Sequence, residues 1–329
     1  MDFLSEILHT FQLSGAVFYN AEFSSPWSFR SPGSKVLVPW ISPKPGRVIV
    51  YHLVTAGKAW VCLENESCLT VEAGDIIVFP EGDPHLMGNG PRIEPTDNEK
   101  HLERIFRGGL EVARMGGGGE ITKFVCGYLC CDPCLHRQLL SGLPRLLKVN
   151  IRNNAAGGWI ENSLMFSVAQ ARSGSLGIEA LLTKLSEALF IETLRQYAAE
   201  QPDAEMGWIS GARNPNVGRA LALLHREPSR DWSLKELAQE IGVSRSVLAA
   251  RFQQYLGEPP MTYLTRWRLE LGARTLATTN SSVAEVAVTA GYGSEAAFNR
   301  AFKREFGVPP ARFRSQARGS GPGVLRPTS

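Results

Sequence analysis

The chain of 329 residues contains no run of about 18 or more consecutive apolar residues, which excludes a membrane-spanning helix. It also lacks a basic leader ahead of an apolar core. MDFLSEILHTFQLSG carries Asp2 and Glu6 and no lysine or arginine, so it does not read as a signal peptide. The expected location is therefore cytoplasmic, with the six cysteines present as reduced thiols. Leu4, Ile7, Leu8 and Phe11 fall at helical spacing and predict a short amphipathic helix that begins the fold. The four glycines Gly116 to Gly119 have no GK[ST] and no strand–loop–helix context. Nothing there supports a phosphate-cradling loop, and a surface loop closing the polar insertion 90–120 is expected.

What is present is an uneven charge. Composition is that of an ordinary soluble protein, 43% hydrophobic and 20% charged, long enough for two cores. After residue 210 there are 17 Lys and Arg against 9 Asp and Glu, a net +8; before it the counts are 18 and 23, a net −5. A basic C-terminal third on an acidic body points to a polyanion-binding module attached to something else.

Three periodicities divide the chain. To about residue 134, short runs rich in β-branched and aromatic residues (48–54, 59–64, 68–73, 75–80, 123–130) are separated by Gly, Asn and Pro, predicting a small antiparallel barrel or sandwich. Residues 135–200 change to three- and four-residue spacing. There Leu181, Leu182, Leu185, Leu189 and Leu194 form one stripe, either core or a dimer-forming helix pair. A polar linker, 201–211, precedes an all-helical part at 212–316, and 317–329 is expected to be a flexible tail.

The helical part repeats. Ser233/Glu236 and Ser282/Glu285 are both S-x-x-E capping boxes. Ala238 and Gly242 match Ala287 and Gly291; after one extra residue in the second turn, Leu248, Phe252, Leu256 and Gly257 match Phe298, Phe302, Phe306 and Gly307. The result is one helix-turn-helix used twice, at about 233–254 and 282–305. In each, the helix after the turn is expected in the DNA major groove. The first offers Ser244, Arg245, Ser246 and Arg251, and arginine pairs bidentately with guanine. The second offers Ser294, Glu295, Asn299 and Arg300, with Lys303 and Arg304 for phosphate. The helical stretch 262–278 sets the separation, which should be about 34 Å if successive major grooves on one DNA face are read.

Residues 212–316 resemble the AraC/XylS family of transcription regulators through Tyr263, Leu264, Arg268, Leu269, Ala273, Leu276, Ala287, Gly291, Tyr292, Phe298, Arg300, Phe302, Lys303, Gly307, Pro310, Phe313 and Arg314. That resemblance implies sequence-specific binding to promoter DNA, contact with RNA polymerase and a homodimer, which favours the dimer reading of the leucine stripe.

The first part resembles the cupin-type sensory domain that precedes such readers. GDIIVFPEGDPHLMGN fits the second cupin motif through Gly74, Pro80, Gly82, His85 and Asn89; the first motif starts with Gly46 and His52. Val54 then stands where the second histidine ligand belongs, and no Glu lies between Thr55 and Trp60. Two imidazoles are a poor cage for iron or manganese, so no metal, cofactor or catalytic residue is expected. The resemblance implies instead a small-molecule effector pocket lined by Tyr51, His52, Trp60, Phe79 and His85, in a protein that is not an enzyme. A metal-dependent cupin enzyme fused to the DNA reader is the remote alternative. Cys131 and Cys134 form a C-x-x-C beside Cys126, Cys130 and His136, a second alternative route to thiol, oxidant or metal sensing. Cys62 and Cys68 read as strand residues. The expected fold class is thus multidomain α+β: a cupin-like antiparallel β-barrel, helical dimerisation segments and an all-α double helix-turn-helix domain.

Overall fold

Alternation of side chains along strands decides the N-terminal half. In the computed structural model, residues 3–10, 13–41, 47–107, 110–131, 140, 142–171, 173, 175–200 and 207–319 are described. Their packing groups them into two units, one of 13–131 with 143–200, the other drawn from 1–12, 132–142 and 201–329.

In the first unit, eleven strands are described: β1 (Ser14–Ser24), β2 (Trp27–Ser31), β3 (Arg47–Ala56), β4 (Lys58–Leu63), β5 (Leu69–Glu72), β6 (Asp75–Phe79), β7 (His85–Asn89), β8 (Thr96–Asp97), β9 (Val112–Gly116), β10 (Ile121–Cys131) and β11 (Leu147–Asn150). They form a six-stranded sheet, β11-β6-β3-β10-β1-β9, and a five-stranded sheet, β5-β4-β7-β2-β8. The cupin-like, mixed α+β expectation stands, with one correction of detail: the strands make two sheets rather than a closed antiparallel barrel. β1–β9 and β2–β8 pair in parallel; α2 (Ser34–Ile41) follows β2, and a helical stretch ending in α3 (Leu102–Arg107) follows β8 ahead of β9.

Between the sheets lies an aromatic and aliphatic core of Phe23, Trp27, Phe29, Val50, Val54, Val61, Ile77, Phe79, Met87 and Phe124. Each such buried side chain contributes about 1.5–3 kcal/mol of transfer free energy. The six-stranded sheet is buried on its other face too, where α5 (Ile178–Glu200) covers it and α4 (Ala155–Ala171) packs on α5. Tyr51 points to that side and shares a 2.8 Å hydrogen bond with Ser186 of α5. Its ring lies over Gly127, the residue without a side chain in the way, and Gly15 lets α5 approach until a Cβ would stand 2.8 Å from Ser186. Leu182, Leu185, Leu189 and Leu194 are consumed in this packing, which corrects the dimer reading of the stripe; Leu181 alone is exposed.

The second unit is helical. α6 (Trp208–Arg213) leads into α7 (Pro215–Arg226), which starts where Asn214 accepts from the backbone N–H groups of Asn216 and Val217, with Pro215 at the first position. Then come α8 (Leu234–Ile241), α9 (Arg245–Leu256), α10 (Pro260–Thr278), α11 (Val283–Thr289), α12 (Glu295–Phe306) and α13 (Pro310–Gly319). The predicted N-terminal helix exists as α1 (Phe3–Thr10), and it packs within this helical unit: Phe3 is buried edge-on to Trp208 and His225.

Candidate nucleic-acid interface and sensory cavity

Both helix-turn-helix copies are built by the same local chemistry. Ser233 caps α8 and Ser282 caps α11, each accepting from the N–H of the glutamate three residues on, while Glu236 and Glu285 reach back to the cap N–H. Gly242 closes α8 in the left-handed region at φ +80°, a conformation without steric cost only for glycine. Ser244 and Ser294 then cap α9 and α12 by accepting from Val247 and Ala297 N–H. α10 runs between the copies. Tyr263, Leu264 and Trp267 are buried on it toward its start, and Leu269, Gly272, Ala273 and Leu276 pack on Val286, Phe298 and Phe302 of the second copy.

This packing leaves one face of each recognition helix in solvent. Leu248, Phe252 and Tyr255 of α9 are buried; Ser244, Arg245, Ser246 and Arg251 are exposed. Phe298 and Phe302 of α12 are buried; Ser294, Glu295, Arg300, Lys303 and Arg304 are exposed. Asn299 is half-buried, 3.5 Å from the Glu295 carboxylate. Sequence reasoning missed Val247, 43% exposed on the solvent face of α9, where an apolar side chain suits a thymine methyl. Its signal was spacing: Val247 is four residues before Arg251 and off the Leu248/Phe252 stripe.

Arg268 has a structural role. Its guanidinium donates to the carbonyls of Pro228 (2.6 Å) and Arg230 (2.7 Å), clasping the loop between α7 and α8. Beneath, His225 and Tyr263 hydrogen-bond at 2.7 Å, and burial pushes the His225 ring down to about 3.

In the sandwich, the five expected pocket residues do not converge. Tyr51 and His52 are neighbours on one strand and so face opposite sides of the sheet. Trp60 points to the outer face of the five-stranded sheet, since its neighbours Ala59 and Val61 are the ones in the core. His52, Phe79 and His85 do meet. Phe79 stacks on the His85 ring at 3.7 Å, and the two histidines share a 2.7 Å Nε2–Nε2 hydrogen bond. His85 Nδ1 faces the Asp83 carbonyl at 2.9 Å, an acceptor only, so Nδ1 carries the proton. His85 Nε2 therefore accepts from His52 Nε2–H, which leaves His52 Nδ1 to accept from the Cys126 thiol at 2.6 Å.

This chain suits neutral groups, and burial enforces that. It holds His52 well below the usual imidazole range, aided by the neighbouring His85; it takes His85 down to about 4 and pushes the Cys126 thiol up. Every ring nitrogen is occupied by a partner and Val54 replaces the missing ligand, so these residues do not fit a cupin metal. Among the described residues no group of three or more His, Cys, Asp or Glu is placed to hold a metal ion. Cys134 and His136 lie outside the described residues, as does the side chain of Cys131, whose backbone ends β10.

The open space lies elsewhere. A cavity of about 480 Å³ is lined by Tyr19, Pro26, Trp27, Ile93, Thr96, Asn98, Ile105, Met115, Gly116 and Gly117. The Trp27 indole N–H is buried and has no hydrogen-bond partner among the described residues. A narrow crevice sharing Tyr19, Asn98 and Ile105 continues to His52 and Cys126. None of the five expected residues lines the cavity, and only His52 lines the crevice.

A third departure concerns the thiols. Cys62 and Cys68 are joined in a disulfide, contrary to the expectation of six reduced cysteines. They stand symmetrically about the hairpin residue Asn65, one step beyond the Val61–Leu69 pair, so the strand register places them opposite each other.

Comparison with known proteins follows the same division. A cupin family profile matches residues 2–199 and a helix-turn-helix domain profile matches residues 237–316. The chain is 45% identical over 261 residues to an AraC-like transcription regulator of Streptomyces antibioticus, covering 75% of this chain and 84% of that one. It is 30% identical over 269 residues to one from Streptomyces lividans, 82% and 87% of the two chains. It is 26% identical over 322 residues to the HTH-type transcriptional regulator AlkR of Acinetobacter baylyi, 96% of this chain and all of that one. The chain belongs to the AraC-like transcription regulators, with a cupin domain ahead of a double helix-turn-helix DNA reader.

Proposed function

We propose that this regulator is a cytoplasmic, homodimeric, one-component sensor whose ligand enters the 480 Å³ cavity beside Trp27 rather than the histidine chain. The observation that carries the regulatory reading is the pair of recognition helices, each capped alike, each presenting polar side chains to solvent on one scaffold helix. Ser244, Arg245, Ser246 and Arg251 read the first groove; Glu295, Asn299 and Arg300 read the second, with Lys303 and Arg304 on phosphate. RNA polymerase is the expected second partner on promoter DNA.

Apolar walls, no charged side chain in the lining and one unpartnered donor suit a neutral organic molecule with a hydrogen-bond acceptor. A ligand that binds the folded sandwich biases a pre-existing equilibrium between DNA-binding states. The saturated histidine chain supports a sensor over a catalyst. With the leucine stripe buried, the homodimer is assigned to exposed Trp159, Phe166 and Leu181 of α4 and α5.

A mobility-shift titration at physiological salt, using DNA upstream of neighbouring genes against random duplex, tests the reading. The expected result is at least about 10³-fold preference for one site; equal affinity for random DNA overturns it. For the cavity, acetophenone should raise the melting temperature where benzoate does not, and Trp27→Phe should remove the effect.

A further inference from the structure

Three features of the outer face of the five-stranded sheet converge on one hairpin. Cys62 is buried while Cys68 is half-exposed beside the exposed turn 64–67. Arg92 Nη2 lies 2.7 Å from Cys68 Sγ, with its guanidinium over the Trp60 ring at 5.6 Å. The turn itself is tied at both ends: Glu64 pairs with Arg30, and Glu66 pairs with Arg145 at 2.7 Å. Arg145 also holds Asp83 at 2.7 Å, and the Asp83 carbonyl terminates the buried histidine chain.

We propose that Cys62 and Cys68 form a reversible dithiol–disulfide site for small two-electron oxidants of the peroxide class, a second input independent of the cavity. A guanidinium beside a sulfur stabilises the thiolate, which is the nucleophile. Cys68, the accessible sulfur, attacks one peroxide oxygen; the O–O bond breaks, leaving a sulfenic acid on Cys68 and, with one proton, a water. The Cys62 sulfur then attacks the Cys68 sulfur, the S–O bond breaks, and the departing hydroxide takes the Cys62 proton as a second water. Two thiols have lost two electrons and two protons, and hydrogen peroxide has become two waters. A dithiol reductant reverses the step by exchange.

The disulfide closes the turn that carries Glu64 and Glu66. Closure holds Glu66 on Arg145 and through it steadies the Asp83 turn under His85; reduction frees the turn to move. The two cysteines lie on the face away from the cavity-lining core, so occupation of one site does not block the other.

The experiment uses the full-length protein, fully reduced, then treated with one equivalent of hydrogen peroxide and alkylated for peptide mass mapping. Cys62 and Cys68 should lose both labels together before any other cysteine, and dithiothreitol should restore them. Arg92→Gln should slow the loss about tenfold. Cys68→Ser should leave Cys62 alkylatable. Hydrogen exchange of the oxidised protein should slow at least about threefold both at 63–68 and at 83–86. Earlier oxidation of another cysteine, or a wild-type rate in Arg92→Gln, overturns the site; slowing at 63–68 alone overturns the link through Arg145.

Discussion

The two helix-turn-helix copies share caps, turns and a common partner in α10, yet place charge differently. α9 carries Arg245 and Arg251 in its first seven residues, with no acid and no basic residue in its last turn. α12 begins with Glu295 and collects Lys303 and Arg304 in its last turn. On the proposed reading, in which the N-terminal half of a recognition helix meets base edges, this charge weights the first copy toward bases and the second toward phosphate. Their cores differ as well. The first contains the His225–Tyr263 hydrogen bond, with His225 stacked on Trp267 at 4.0 Å. The second joins the rings of Phe298, Phe302, Phe306 and Phe313 to an aliphatic layer of Leu269, Leu276 and Val286. A duplicated unit thus kept its backbone chemistry while each surface and core changed.

The largest break in that comparison should come from Phe302→Ala. Removing this fully buried ring from the second copy's core should cost about 3–5 kcal/mol, read as a lower urea midpoint. Next, Arg245→Ala should cost about 1–3 kcal/mol of specific binding and relax preference at one base position. Lys303→Ala should instead weaken all sequences alike and lower the salt slope by about 1, and the same behaviour from Arg245→Ala would erase the proposed division of labour. The third effect is on pH. The folded His225 ring resists protonation down to about 3 while an unfolded one titrates near 6.5, so this ring's contribution is present above 6.5 and is lost as pH falls toward 3. Between pH 7 and 5 the loss is roughly 2 kcal/mol; chemical denaturation should show a smaller drop in His225→Phe than in wild type. Smallest, Ser244→Ala and Ser294→Ala should each cost about 1 kcal/mol, and equal losses would mark the caps as the part the copies share.

The legible parts were local. Both capping boxes and the Gly242 turn are set by neighbours within a few residues, so the repeat and its recognition helices were readable without a structure. The cavity was not, because Tyr19, Trp27, Ile93, Ile105 and Met115 arrive from distant segments and are unremarkable one by one. Tyr51 and Trp60 were misplaced for a reason that was readable: Tyr51 adjoins His52 on a strand, and Trp60 sits between Ala59 and Val61, which the core claims. The Cys62–Cys68 pair was equally within reach, being symmetric about Asn65, but an expected cytoplasmic location argued against oxidised sulfur. The cupin motif named positions such as His52 and His85, and a motif does not say which of their nitrogens are already hydrogen-bonded.

Arg268 clasps the loop ahead of the first copy, and a Cβ at Gly291, in the turn of the second, would stand 3.1 Å from the same guanidinium. One side chain therefore holds the loop ahead of the first reader and lies beside the turn of the second, along a scaffold helix that spans about 28 Å. The operator this protein recognises should behave as one unbroken word. Letters within either half can drift and be compensated by changes on α9 or α12, but inserting a single base pair between the halves rotates one against the other and leaves no side-chain substitution able to restore the phase.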